Sequence, residues 1–237
     1  MIIKFNFKFL ISSNIFVALA AFSLYLITDI LYSINNPSIG FFVFFSTLFA
    51  YNYMRFPLFF SNKTLSQIGV IHYSIILISG LLLLCTLCLL GLKFIILTTP
   101  IIIISFLYPI SIYIKNKLYS VRSLPFIKLF LIAFVWAYVT VILPLLFNGV
   151  DISIDVLNIF FQRLLFILAI SIPFDIRDIA IDKIKTLPNT MGVMGAKLFS
   201  FSCLFLVEIL LILSVIFSLI QIHHFVALFL SILLSAI

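Results

Sequence analysis

Three aspartates, Asp175, Asp178 and Asp182, stand in the stretch PFDIRDIAIDKIKTLPNTMG, residues 173–192, with Arg177, Lys183 and Lys185 among them. The whole chain holds seven acidic residues in 237, so the concentration is marked. On a helix the i, i+3, i+7 spacing puts all three within about 60° of arc, on one face. Like charges stacked in this way repel, and a helix gains nothing from them unless something cationic lies on the stripe. One candidate is the protein's own bases, Arg177, Lys183, Lys185 or those of neighbouring loops, which would make a salt-bridged helix. The other is a divalent metal. Hard carboxylate oxygens without His or Cys suit Mg2+, which keeps several waters and commonly bridges to substrate phosphates. Nearby Lys and Arg would then neutralise the remaining phosphate charge.

The surroundings of this stripe are extremely apolar. Hydrophobic residues make up 65% of the chain and charged residues 9%, where a soluble domain carries about 25% charged. No soluble core of this size buries so much apolar side chain, so the surface must face a lipid bilayer. The net charge of +7 forms no dense basic run, which argues against nucleic acid. In a membrane protein, excess Lys and Arg record orientation instead. The 29 Phe residues are read only as lipid-compatible. Cys85 and Cys88 have the spacing of a redox or metal motif but lie within an apolar run, and are read as small apolar side chains.

A membrane helix needs about 20 mostly apolar residues. Polar punctuation divides the chain into eight such spans, near 9–31, 38–60, 67–90, 94–114, 126–147, 155–174, 197–219 and 222–237. The expected fold is therefore all-α, a polytopic membrane bundle forming one domain over 1–237. Lys4, Lys8, Arg55, Lys63, Lys115, Lys117, Arg122, Lys128, Arg177, Lys183, Lys185 and Lys197 fall on one side if the N-terminus is cytoplasmic. Lys93, Arg163 at the edge of a span, Asp151, Asp155 and the His223–His224 turn fall on the other. The positive-inside rule then puts both termini in the cytoplasm, in an inner (cytoplasmic) membrane. Pro173 is expected to kink the sixth span, and helix is allowed from there to Lys185.

The run from Asp175 to Asp182, followed by Lys185-Thr186-Leu187-Pro188 and Gly192, resembles the second aspartate-rich motif of the UbiA superfamily of intramembrane prenyltransferases. Leu107-Tyr108-Pro109, then Lys115, Arg122, Pro125, Lys128 and Trp136, is similar to that family's segment joining its fourth and fifth helices. The resemblance implies a prenyl diphosphate bound through Mg2+ and ionised at its allylic C–O bond. A lipophilic acceptor, often an aromatic quinone precursor, would then capture the cation. Carried over, Asp178 and Asp182 hold the metal and Asp175 supports them. Lys115, Lys128 and Lys185, with Arg122 and Arg177 nearby, are candidates for the diphosphate, and Tyr108 for orienting substrate.

The family's other aspartate-rich motif is not here. Its place reads YNYMRFPLFF, residues 51–60, in which Asn52 matches but Tyr53, Phe56 and Phe60 stand where acids belong. No acid occurs from residue 30 to residue 150. The step from Asp182 to Thr186 is also shorter than in the family, and a customary Gly is missing. Direct positive charge from Arg55 or Lys63 would replace the lost metal, with Asn52 and Arg55 facing Asp178 and Asp182 across the bundle. Three alternatives stand beside transfer. One is a protein that binds a prenyl or lipid phosphate without turnover. The others are a small carrier, suggested by Glu208 mid-way along the seventh span, and a scaffold docking a basic partner on the Asp stripe. His72 is expected to be a packed, hydrogen-bonded residue, and Glu208 to have no base in a neighbouring span.

Overall fold

The computed structural model describes residues 10, 12–60, 67–107, 111–114, 117–120, 125–179 and 186–235, with backbone alone at 55–60, 67–71, 106–107, 111–114, 117–120, 125 and 178. Its contacts divide the chain into two compact units, residues 1–100 and 101–237. The described residues are overwhelmingly helical. Five of the helices among them are long and apolar enough to cross a membrane.

In the first unit, α1 (Ile15–Tyr32) packs against α2 (Pro37–Phe60) through a tight turn. Tyr25, almost wholly buried, pins that turn by a hydroxyl 2.6 Å from the Asn36 carbonyl and 3.0 Å from Asp29 Oδ1. Gly40 sits where a Cβ would meet the Phe22 ring at 2.7 Å, so the two helices approach as closely as they do only over glycine. α3 (Gln67–Leu107) follows, and its Phe94 meets Phe42 of α2 edge to face.

Two spans were expected where α3 runs. The apolar stretch His72–Ser105 is 34 residues long, which at 1.5 Å per residue is about 50 Å against a hydrocarbon core of about 30 Å. Gly91 interrupts it at φ 79, ψ −177, a conformation that only glycine adopts without strain. The helix is therefore two helical segments meeting at Gly91, close to the expected division between residues 90 and 94.

The expected span 94–114 is shorter than read. The described helix runs to Leu107, and residues 111–114 are strand where helix was expected. Ser111–Ile114 (β1) then pairs antiparallel with Lys117–Ser120 (β2), with Ile114 opposite Lys117.

The second unit continues with α4 (Pro125–Ala137), a π turn at Tyr138–Ile142, and α5 (Leu143–Phe147). Pro144 has no N–H for the carbonyl four residues back, and the wider π turn lies directly ahead of it. α6 (Ile154–Asp178) begins at Ser153, whose hydroxyl accepts from the Val156 N–H, with Asp155 in the favourable first turn. α7 (Leu187–Ile216) packs antiparallel to α6 and is interrupted at Gly192 (φ 75). α8 (Ile222–Ser235) follows, with His223 and His224 in its first turn and not in the connection before it.

Pro173 lies inside α6, as expected. It leaves the Ala169 carbonyl without an in-helix donor, and Ser200 of α7 supplies one, its hydroxyl 2.9 Å from that oxygen. In lipid such side-chain repair is what makes an intrahelical proline tolerable. Ser200→Ala is expected to destabilise the protein by about 1 kcal/mol, and Pro173→Ala in the same background to recover most of the loss. Thermal melting in micelles would test this. Equal melting of wild type and Ser200→Ala would show that the contact is without energetic weight.

Candidate functional site

The aspartate stretch begins at the C-terminal end of α6. Asp175 is 6% exposed, and its Oδ1 accepts from Lys128 Nζ of α4 at 2.8 Å. This is an ion pair with little solvent, the two side chains being 13% and 8% exposed. Its other oxygen, Oδ2, is buried with no hydrogen-bond partner among the described residues, as is the hydroxyl of Thr186 at the start of α7. Arg177 lies over the ring of Phe174, its guanidinium carbon 5.4 Å from the centroid.

Helix does not extend to Lys185 as a single element. α6 closes at Asp178, where the Ile179 N–H turns back to the Ile176 carbonyl. Carboxylates in a last turn oppose the negative end of the helix dipole, so the stripe itself works against extension. The shared face of three acids is therefore realised only as far as Asp178 among the described residues. Asp182 and Lys185 lie outside them, as do Tyr108, Lys115 and Arg122, and of Asp178 and Arg55 only the backbone is described. Among the described residues no three His, Cys, Asp or Glu side chains gather into a metal site. Cys85 and Cys88 are free and exposed.

Next to the ion pair lies an apolar groove of about 300 Å³. Phe126, Ile127 and Phe130 of α4, Leu168 of α6, and Leu187 and Phe199 of α7 line it. Leu168 is two turns of α6 below Asp175, and Leu187 adjoins Thr186. The groove is thus lined by neighbours in sequence of Lys128 and Thr186 and by a residue two turns from Asp175, although these three polar residues are not themselves in its lining. That arrangement suits a molecule with a polar, cation-associated head and a hydrocarbon tail.

Asn52, in the first unit, has a different occupation from the one its position in the motif suggests. It is fully buried. Its amide donates to the carbonyls of Ser13 at 2.9 Å and Leu48 at 2.8 Å. Its Oδ1 accepts from Asn14 Nδ2 at 3.3 Å and stands 3.1 Å from His72 Nδ1. Two donors and two acceptor positions are all that an amide side chain has, so nothing remains for a diphosphate. Because the amide nitrogen must face the two carbonyls, Oδ1 faces His72, and the network assigns the imidazole proton to Nδ1. His72 is packed and hydrogen-bonded, as expected. Its joining to Asn14 and Asn52 was not visible in the sequence, since partners 20 and 38 residues apart carry no local signature. No family model, curated protein or solved structure matches the chain.

Proposed function

We propose that this protein works on a prenyl diphosphate, or a lipid phosphate of the same build, at the membrane end of α6. The observation that carries this reading is the buried Asp175–Lys128 pair with an unmet carboxylate oxygen, on two helices that also line an apolar groove. The donor set fits Mg2+, because the unmet Asp175 oxygen and Thr186 hydroxyl are hard oxygen ligands and Asp178 follows one turn on. Bound there with Asp178 and Asp182, the ion would neutralise diphosphate oxygens and favour cleavage of the allylic C–O bond. Asp175 holds the Lys128 ammonium, and Arg177, Lys185, Lys115 and Arg122 would add positive charge. Phe126, Phe130 and Phe199 offer an apolar surface to a hydrocarbon tail. Prenyl transfer to a lipophilic acceptor, in the manner of the UbiA superfamily, is the activity this arrangement would serve.

A second reading, binding without transfer, is favoured by Asn52. Its hydrogen bonds are all taken, and no acid lies between residues 30 and 150 to make a second carboxylate cluster. Charge neutralisation for a departing diphosphate would then come from one side only.

In the same proposal the helices make eight spans of an inner (cytoplasmic) membrane with both termini in the cytoplasm. The division of α3 at Gly91 and the distribution of Lys and Arg support it.

Purified protein is expected to bind Mg2+ together with a prenyl diphosphate, and Asp178→Asn or Asp182→Asn to weaken that binding at least tenfold, read by calorimetry. Unchanged binding in both variants removes the metal assignment. Diphosphate release with an aromatic acceptor present separates transfer from binding alone.

A further inference from the structure

Two charged side chains inside the second unit take no part in the site above. Arg163 is the tenth residue of α6, about 13 Å in from the start of that helix, and not at its edge as the sequence suggested. It is 6% exposed and makes no hydrogen bond or ion pair among the described residues. Glu208 of α7 has both carboxylate oxygens buried without a hydrogen-bond partner among them. Charges withdrawn from water in this way cost several kcal/mol each unless something compensates them.

Their positions are related. α6 and α7 are antiparallel, and their register is fixed by three contacts. Ser200 Oγ donates to the Ala169 carbonyl at 2.9 Å, and Ser214 Oγ accepts from Asn158 at 2.8 Å and from Gln162 at 2.9 Å. Ser200, Val207 and Ser214 recur every seven residues along the face of α7 that meets α6, and Gln162 and Ala169 do the same on α6. Arg163 is one residue beyond Gln162, and Glu208 one residue beyond Val207. Each is therefore turned about 100° from the contact line in the same sense. The local two-fold perpendicular to an antiparallel pair carries one such position onto the other. Arg163 and Glu208 accordingly leave the same side of the helix pair at the same depth, with Cα atoms about 10 Å apart for axes about 9 Å apart. An extended Arg and Glu can meet over that span, yet the two are not within ion-pairing distance.

We propose that Arg163 and Glu208 form a second binding site, within the apolar part of the bundle, for the hydroxyl group of an uncharged lipophile such as a long-chain alcohol or a phenol. A hydroxyl donates one hydrogen bond and accepts others. Placed between the two side chains, it gives its proton to the carboxylate and accepts from the guanidinium, satisfying both without adding net charge. An anionic or cationic head would leave one of the two uncompensated. The exposed Phe205 and Ile212, one turn either side of Glu208 on α7, offer the ligand's chain an apolar approach from lipid. This site is 15 residues from Asp178 along α6, about 22 Å, so it is separate from the proposed diphosphate site and stands independently of it.

The test uses full-length protein in phosphatidylcholine nanodiscs, which contain no hydroxyl-bearing amphiphile. Thermal melting is followed with hexadecanol, hexadecane or hexadecanoate added to the bilayer. Hexadecanol is expected to raise the midpoint by several degrees, hexadecane to leave it unchanged, and Glu208→Gln and Arg163→Lys each to reduce the hexadecanol shift by more than half. The wild-type comparison alone decides the proposal if either variant fails to fold. No hexadecanol shift in wild type overturns it, and leaves the two charges to ordered water. A larger shift with hexadecanoate also overturns it, because Arg163 would then be an anion site without Glu208.

Discussion

Lys128→Met is expected to lower protein stability by about 3 kcal/mol, the usual cost of leaving one member of a buried ion pair alone. Asp175 then keeps a carboxylate that is 6% exposed, with its second oxygen already lacking a hydrogen bond and its first now deprived of the 2.8 Å contact to Lys128. Asp175→Asn should cost less, because the ammonium of Lys128 is on a long stem and can move toward water. The double variant Lys128→Met/Asp175→Leu, which removes both charges and keeps apolar volume, should recover most of the loss. Thermal melting in micelles measures all three, with about 2–4 °C expected per kcal/mol for a chain of this size. If Lys128→Met melts with wild type, the pair is not what holds α4 to the end of α6. Ligand binding gives the complementary measurement. A variant pair restored in stability but unable to hold a prenyl diphosphate would show that the charges serve the ligand beyond serving the fold.

Asn52→Leu is expected to be comparably damaging, by about 2–4 kcal/mol, through loss of four hydrogen bonds at a position with no access to water. The carbonyl of Ser13 and the polar groups of Asn14 and His72 would all lose a partner at once. Asn52→Asp discriminates between a packing role and a ligand role. A carboxylate has no protons for the Ser13 and Leu48 carbonyls, so the substitution should destabilise even though size and shape are kept. If Asn52 instead faced substrate, Asn52→Asp would leave melting unchanged and strengthen metal binding. Melting of both variants, with Mg2+ affinity measured alongside, decides the matter.

These two sites mark how far the sequence could be read. Apolar runs punctuated by polar residues located the long apolar helices in outline, because hydropathy and length depend on composition alone. But α7 begins at Leu187, ten residues before the expected start at 197. Pro173 within a helix was equally legible, but its repair by Ser200 was not, since the partner lies 31 residues away. The same limit hid the Asn14–Asn52–His72 network and turned a motif asparagine into a supposed ligand. Helical periodicity suggested one stripe through Asp182. Periodicity says which residues would share a face if helix persisted, not where helix ends, and α6 closes at Asp178. Arg163 was misplaced for a plainer reason. A charged residue near a span boundary was assumed to stay at the boundary, where it costs least, and α6 instead carries it inward.

The contacts between α6 and α7 bear on the carrier reading. Ser200 on the Ala169 carbonyl and Ser214 with Asn158 and Gln162 are 14 residues apart on α7, about 21 Å. Sliding one helix past the other by a turn, about 5.4 Å, would strip both fastenings together inside lipid, where no water replaces them. The two helices thus form a stator. A transport cycle that alternates access by shearing this pair works against its own frame, whereas chemistry at a fixed polar head beside a moving hydrocarbon tail does not.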